Sequence, residues 1–210
     1  MTDSEPEPPS ANSQLFVRMV PRVGDALATW REERYDERLK AFFESGFAGV
    51  SAERLIEEIE TNAEFADDLD RAVQAALASS SDEKIKLLSR TLRAEFVAQD
   101  RAAVDNVQQI LRVAIELDPV DIRAMVAIQQ ADYLDPLEVL REELRATKAT
   151  AYAIRSRLSR LGLIEMSTEA TVATPGDVTD DEVVLEQRWT TTPVFDAVVL
   201  MLDDFRSLGA

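Results

Sequence analysis

The sequence predicts a mainly α-helical chain, in which an N-terminal helical bundle precedes a smaller unit of short helices and one β-ribbon. Three observations predict it. Apolar residues recur at helical spacing through every segment from Ser13 to Leu117. Two Asp-Pro pairs, Asp118-Pro119 and Asp135-Pro136, then mark helix starts, because proline at the first helical position gives up no hydrogen bond. Beyond Gly162 the pattern changes to two β-like runs on either side of a polar stretch.

Residues 1–12 carry three prolines and three acids with almost no apolar side chain, the composition of a disordered tail. Residues 13–116 read as the bundle. In 22–45, Val23, Ala26, Leu27, Trp30, Leu39, Phe42 and Phe43 fall broadly at helical spacing, and Gly46 is placed to stop the helix. Ser51 caps a short helix with Leu55, Ile56 and Ile59 inward. Residues 63–78 space Phe65, Leu69, Val73 and Leu77 by four. Ser80 and Glu83 stand in capping-box register and open a helix with Ile85, Leu88, Leu92 and Phe96 on one face. Residues 100–117 present Val104, Val107, Ile110, Leu111, Val113 and Ala114.

Residues 117–210 follow other rules. The helix opened by Asp118-Pro119 carries Ile122, Met125, Val126 and Ile128 inward, and the one opened by Asp135-Pro136 carries Leu137, Val139, Leu140 and Leu144. Only Arg145-Ala146-Thr147 separates the latter from a helix over 148–161, ended by Gly162, and so tight a join of two short amphipathic helices is a helix-turn-helix signature. Residues 163–167 read as a strand, 173–181 as a loop turning at Pro175-Gly176-Asp177, and 183–191 as a second strand. Thr192-Pro193 opens a closing helix with Phe195, Val198, Val199, Leu202 and Phe205 inward, and Trp189 is expected to pack against it.

The run ATKATAYAIRSRLSRLGLIEM, followed by VVLEQRWTTTPVFDAVVLML, resembles the C-terminal part of winged helix-turn-helix domains. Leu158, Leu161, Gly162, Leu163 and Ile164 match the end of that superfamily's recognition helix, and Thr192, Pro193 and Phe195 match its turn into a closing helix. The likeness covers about residues 117–208, under half the chain; the N-terminal bundle carries none. It implies a C-terminal winged helix-turn-helix domain with a two-stranded β-wing, and a transcriptional regulator that lays helix 148–161 in the major groove of double-stranded DNA.

Charge bears on that expectation in both directions. With 40 acidic and 23 basic residues the net charge is −17, a field that repels phosphate backbones. Yet residues 145–160 hold Arg145, Lys148, Arg155, Arg157 and Arg160 and no acid. Thr147, Thr150 and Ser156 are short enough to approach base edges, Tyr152 can meet a phosphate or a base, and Arg188 can support the wing. The bases can equally form a solvated face or pair with Glu138, Glu142 and Glu143 on the preceding helix. Asp177, Asp180, Asp181 and Glu182 make the expected wing acidic, which disfavours a grip on DNA. The alternative is a protein-interaction or scaffold protein whose winged helix serves assembly. A homodimer is expected through 22–45 and 193–208, since long helices with an apolar stripe need a partner.

Other chemistries find little support. Without cysteine or histidine there are no disulfides, no thiolate catalysis and no zinc ribbon, and the commonest general base is missing. Gly24, Gly46 and Gly49 are the only glycines of the first unit, so it has no glycine-rich phosphate loop. Glu57, Glu58 and Glu60, like Asp67, Asp68 and Asp70, lack the alternating spacing of a calcium loop and are expected on solvated helix faces. Trp30, Tyr35, Phe42 and Phe43 are expected in the core rather than around a ligand. No serine or threonine has a visible base beside it and no carboxylate pair is identifiable, so no enzyme, cofactor or metal is expected. An enzyme built on the bundle would need a cleft with perturbed carboxylates. No apolar run approaches the ~18–20 residues of a membrane span, and the acidic N-terminus is unlike a signal peptide, so the expected address is the cytoplasm.

Overall fold

Most helices of this chain begin where a short polar side chain covers backbone N–H groups that the first turn leaves free. Ser51, Asn62, Ser81, Asp100, Asp135 and Thr147 each accept a hydrogen bond from a backbone N–H two or three residues on. They open α2 (Ala52–Thr61), α3 (Ala63–Ala78), α4 (Asp82–Val97), α5 (Arg101–Glu116), α7 (Pro136–Glu142) and α8 (Lys148–Arg160). Between α5 and α7, α6 (Pro119–Gln130) starts at a reciprocal capping box of Asp118 and Asp121. Thr192 Oγ1 accepts from the Phe195 N–H at the start of α9 (Pro193–Asp203). Each such cap stabilises its helix by about 1 kcal/mol. The computed structural model describes residues 32–98, 100–131, 135–172 and 183–203, and its first helix, α1, covers 32–47. The tail 1–12, Trp30, the turn at Pro175-Gly176-Asp177 and Phe205 lie outside the described residues.

Two helix ends differ from the sequence expectation. The cap of α4 is Ser81 and not Ser80, because Ser79 Oγ accepts the Ser81 N–H at 3.1 Å and ties the preceding turn one residue further on. Helix α1 does not stop at Gly46; it runs through to residue 47, and the chain reverses at Gly49 with φ of +82°. Gly46 instead marks a close crossing. A Cβ there would come 2.5 Å from the Ser89 carbonyl oxygen of α4, and the Ser89 hydroxyl donates to the Phe42 carbonyl. Ile56 also departs: it is 52% exposed, while Leu55 and Ile59, a turn apart on one face, reach the core. Tyr35 is 44% exposed, whereas Phe42 is fully buried with Phe43 beside it.

Helix α4 sits at the centre of the helical layers. Ile85, Leu87, Leu88 and Leu92 are all fully buried or nearly so, on more than one side, because α3, α5, α6 and α9 all pack around it. Each such side chain contributes roughly 1.5–3 kcal/mol. A single apolar cluster runs from Phe42 of α1 to Leu202 of α9. The closing helix therefore returns to the bundle: Phe195, Val198, Val199 and Leu202 are buried where α9 meets α4, α5 and α6, and the Arg90 guanidinium donates to the Met201 carbonyl. The buried residues of α9 thus find their cover within the chain, as do Phe42 and Phe47 of α1, while residues 22–31 and 204–208 of the two expected dimer stripes lie outside the described residues. Leu200 alone of the α9 apolar residues stands 70% exposed.

Strand β1 (Ile164–Val172) runs five residues beyond the expected end and pairs antiparallel with β2 (Val183–Thr191), Ile164 opposite Thr191 and Met166 opposite Trp189. Paired residues share a ribbon face. Ile164, Met166, Trp189 and Thr191 therefore take one face, with Ile164 buried, while Glu165, Ser167, Arg188 and Thr190 take the other. The ribbon's base is tied to the end of α8. Gly162 adopts φ of +69°, the Thr192 N–H donates to the Leu163 carbonyl at 3.1 Å, and its hydroxyl donates to the Gly162 carbonyl at 2.7 Å. Among the described residues no helix is long and apolar enough to cross a membrane.

Candidate nucleic-acid interface

Helix α8 owes its orientation to three side chains. Ala151, Ile154 and Leu158 are buried, three and four residues apart, so the face bearing Lys148, Tyr152 and Arg155 is turned outward. Helix α7 packs against it, anchored by buried Val139 and Leu140. The chain between the two turns at Arg145, which holds φ of +50°, and the Ala146 N–H donates to the Leu140 carbonyl at 3.3 Å. That backbone conformation costs a side-chain-bearing residue about 1–2 kcal/mol and is one that glycine takes freely.

The nine residues expected to contact DNA divide into groups. Thr147 and Thr150 are spent first on the helix start: Thr147 Oγ1 accepts the Thr150 N–H at 3.2 Å, and the two hydroxyls lie 2.9 Å apart. Lys148 is exposed, its Nζ 5.9 Å from the centre of the Tyr152 ring. The Arg155 guanidinium lies 4.8 Å from the centre of the Tyr152 ring and equally 4.8 Å from that of Trp189. Among the described residues no carboxylate pairs with Lys148 or Arg155. Arg145 is exposed beside Glu138, Arg141 and Glu142, around a shallow cavity of about 380 Å³.

Arg157 and Arg160 do not join that face. Arg157 lies roughly 200° around the helix from Arg155, where its guanidinium binds the Asp118 carboxylate and sits 3.2 Å from that of Asp121. Arg160 pairs with Glu116 at 3.6 Å. Their partners thus lie at the end of α5 and the start of α6, and not at Glu138, Glu142 or Glu143. Arg157 is a tie between helices, its guanidinium engaged with two carboxylates. Arg188 is exposed on the ribbon face opposite Trp189, so the pleat separates it from Arg155. The acids expected in a wing, Asp177, Asp180, Asp181 and Glu182, lie outside the described residues.

Sequence reasoning missed the part played by Trp189, which was expected against the closing helix but carries Arg155 on its ring. The period-two alternation that groups it with Ile164 was the available signal. It also missed the buried charges. Asp121 is fully buried, and burial lifts its carboxyl to about 6 against the opposing pull of the Lys84 charge. Lys84 is itself buried, which lowers its pKa, and its ammonium caps the end of α5 by donating to the carbonyls of Ile115 at 2.8 Å and Leu117 at 2.6 Å.

Asp68 corrects the expectation of a solvated acidic face, since it is buried with Arg71 beside it. Nearby, Glu95 is buried and lifted to about 7, first by desolvation and then by the Asp68 charge; a hydrogen bond donated by Gln108 at 3.3 Å acts in the other direction. The structure thus forms a carboxyl pair that no sequence pattern showed. The larger surface cavity, about 450 Å³, is lined by residues 80–83 with Pro119, Ile122 and Arg123, and includes neither member of the pair. Among the described residues no group of three or more acids is placed to hold a metal ion. No protein-family model matches the chain, nor does any curated protein or solved structure.

Proposed function

We propose that this chain is a cytoplasmic DNA-binding protein, a transcriptional regulator in which α7, α8 and the β-ribbon act as a winged helix-turn-helix. One observation carries the reading: in a chain of net charge −17, the outward face of α8 presents Lys148, Tyr152 and Arg155 with no carboxylate paired to either base among the described residues. Helix α8 lies in the major groove. Arg145 and Lys148, at its start, meet phosphates; Arg155 and Tyr152 meet bases. Thr147 and Thr150 hold the helix start in shape, and Arg188 serves the ribbon. The acids at 177–182 disfavour a phosphate contact by that part of the chain. A homodimer doubles the phosphate contacts against the unfavourable net charge, and the helices from α1 to α5 form the sensing or assembly part.

Fluorescence anisotropy of the full chain with random-sequence duplex tests this. Binding is expected at about 50 mM salt and should weaken steeply toward about 200 mM. No binding at the lower salt refutes the reading. The alternative, an interaction or scaffold protein, is favoured by Leu200, 70% exposed on α9; it predicts no duplex binding at any salt.

A further inference from the structure

We propose that Arg155 reads a guanine in the major groove and that Tyr152 and Trp189 are the positioning residues that hold its guanidinium for the task. The inference rests on the DNA-binding reading and adds the base and the residues that select it.

Among the outward bases, Arg155 is placed differently from the others. Its guanidinium stands 4.8 Å from two ring centres, one from its own helix three residues back and one from β2. Lys148 and Arg145 are exposed, and Lys148 comes no nearer than 5.9 Å to a ring. Both contacts of Arg155 lie within the range where a cation is attracted to an aromatic face. They engage the guanidinium through the rings and use none of its N–H donors. No carboxylate among the described residues takes those donors either. An arginine otherwise loses much rotamer freedom on binding, and two flanking rings remove that freedom beforehand. A phosphate has no need of such preparation, because it accepts a donor from many directions. A planar fork in one fixed orientation suits two acceptors in one plane, and in the major groove guanine presents that pair, O6 and N7.

Trp189 reaches Arg155 because of ribbon register. It faces Met166 across the pair and shares the inward ribbon face with buried Ile164, which brings its ring to α8. The ribbon thereby contributes to base selection through Trp189.

The test uses the full chain. Duplexes are selected from a random-sequence pool and resynthesised with guanine or with 7-deazaguanine, which lacks the N7 acceptor. The chain is expected to bind the guanine form about ten-fold more tightly, as for loss of a bidentate contact. Arg155→Lys keeps the charge and loses the fork, so the ratio should fall to about one while the salt dependence stays. Trp189→Leu should reduce the ratio at least three-fold, with random-duplex affinity nearly unchanged, and Trp189→Phe should restore it. Tyr152→Ala, at an exposed position, should also reduce the ratio at least three-fold if Trp189→Leu fails to fold, with random-duplex affinity falling as well because Tyr152 itself meets DNA. Equal binding of both duplex forms by the unaltered chain overturns the proposal, as does a ratio that survives Arg155→Lys or survives loss of both rings. Failure to bind any duplex overturns the DNA reading as well, so the two failures are distinguishable.

Discussion

Arg157 Nη1 lies 3.2 Å from Oδ2 of Asp121, a carboxylate with no exposed surface, and so joins α8 to the first turn of α6. The same Oδ2 accepts the Asp118 N–H at 2.9 Å, while the other oxygen of Asp121 has no hydrogen-bond partner among the described residues. Arg157 thus adds a donor to a buried group that feels the Lys84 charge and is already short of donors.

Arg157→Ala should therefore destabilise the fold by about 1–3 kcal/mol, the cost of leaving a buried polar group less satisfied. Arg155→Ala, which loses contacts to two rings, should cost only about 0.5–1 kcal/mol. Urea denaturation of the two variants checks this, and duplex affinity should rank in the opposite sense once each is measured folded. Equal destabilisation would mean that the Arg157 pair contributes no more than the ring contacts of Arg155.

Arg145 gives a second separation of stability from binding. Arg145→Gly relieves the positive φ, so the variant should be no less stable and up to about 1 kcal/mol more stable. It also removes a base from the start of α8, so duplex affinity should drop and its salt slope shrink by about one phosphate contact. Melting curves and salt titrations on one preparation test both halves.

Glu95 makes stability depend on pH in a window that no histidine confuses. Its folded pKa of about 7 exceeds the ordinary 4.5 because burial and Asp68 disfavour the charge. Between those values the folded chain holds a proton that the unfolded chain has lost. Stability is thus greatest below the ordinary value and declines as pH rises through about 7. Asp121, at about 6, acts with the same sign. Thermal melts should show a higher midpoint at about pH 5.5 than at about pH 8, and Glu95→Gln should remove most of the difference. A midpoint that rises with pH across this range would contradict the buried pair.

Gly46→Ala places a methyl group against backbone, 2.5 Å from the Ser89 carbonyl oxygen, which cannot yield as a side-chain tip would. The crossing of α1 over α4 must open, at about 1–3 kcal/mol. A chemical denaturation midpoint that matched the unaltered chain would show that the crossing is looser than the structure has it.

The sequence by itself determined the elements. Asp100, Asp118, Asp135, Thr147 and Gly162 start or end helices through hydrogen bonds or backbone angles within a turn of their own position, so their meaning is local and readable. The change from period 3.6 to period two marked the ribbon for the same reason. Tertiary structure decided what each face is for. Arg155 and Arg157 stand two residues apart on one basic helix, and it is Asp118 and Asp121, 39 and 36 residues back, that draw Arg157 inward. Lys84 is buried because the carbonyl of Leu117, 33 residues on, receives it. Gly46 read as a helix stop until Ser89 of α4 was packed against it. Charge pairing, desolvation and close packing all depend on what arrives from distant chain, and no periodicity along the sequence records it.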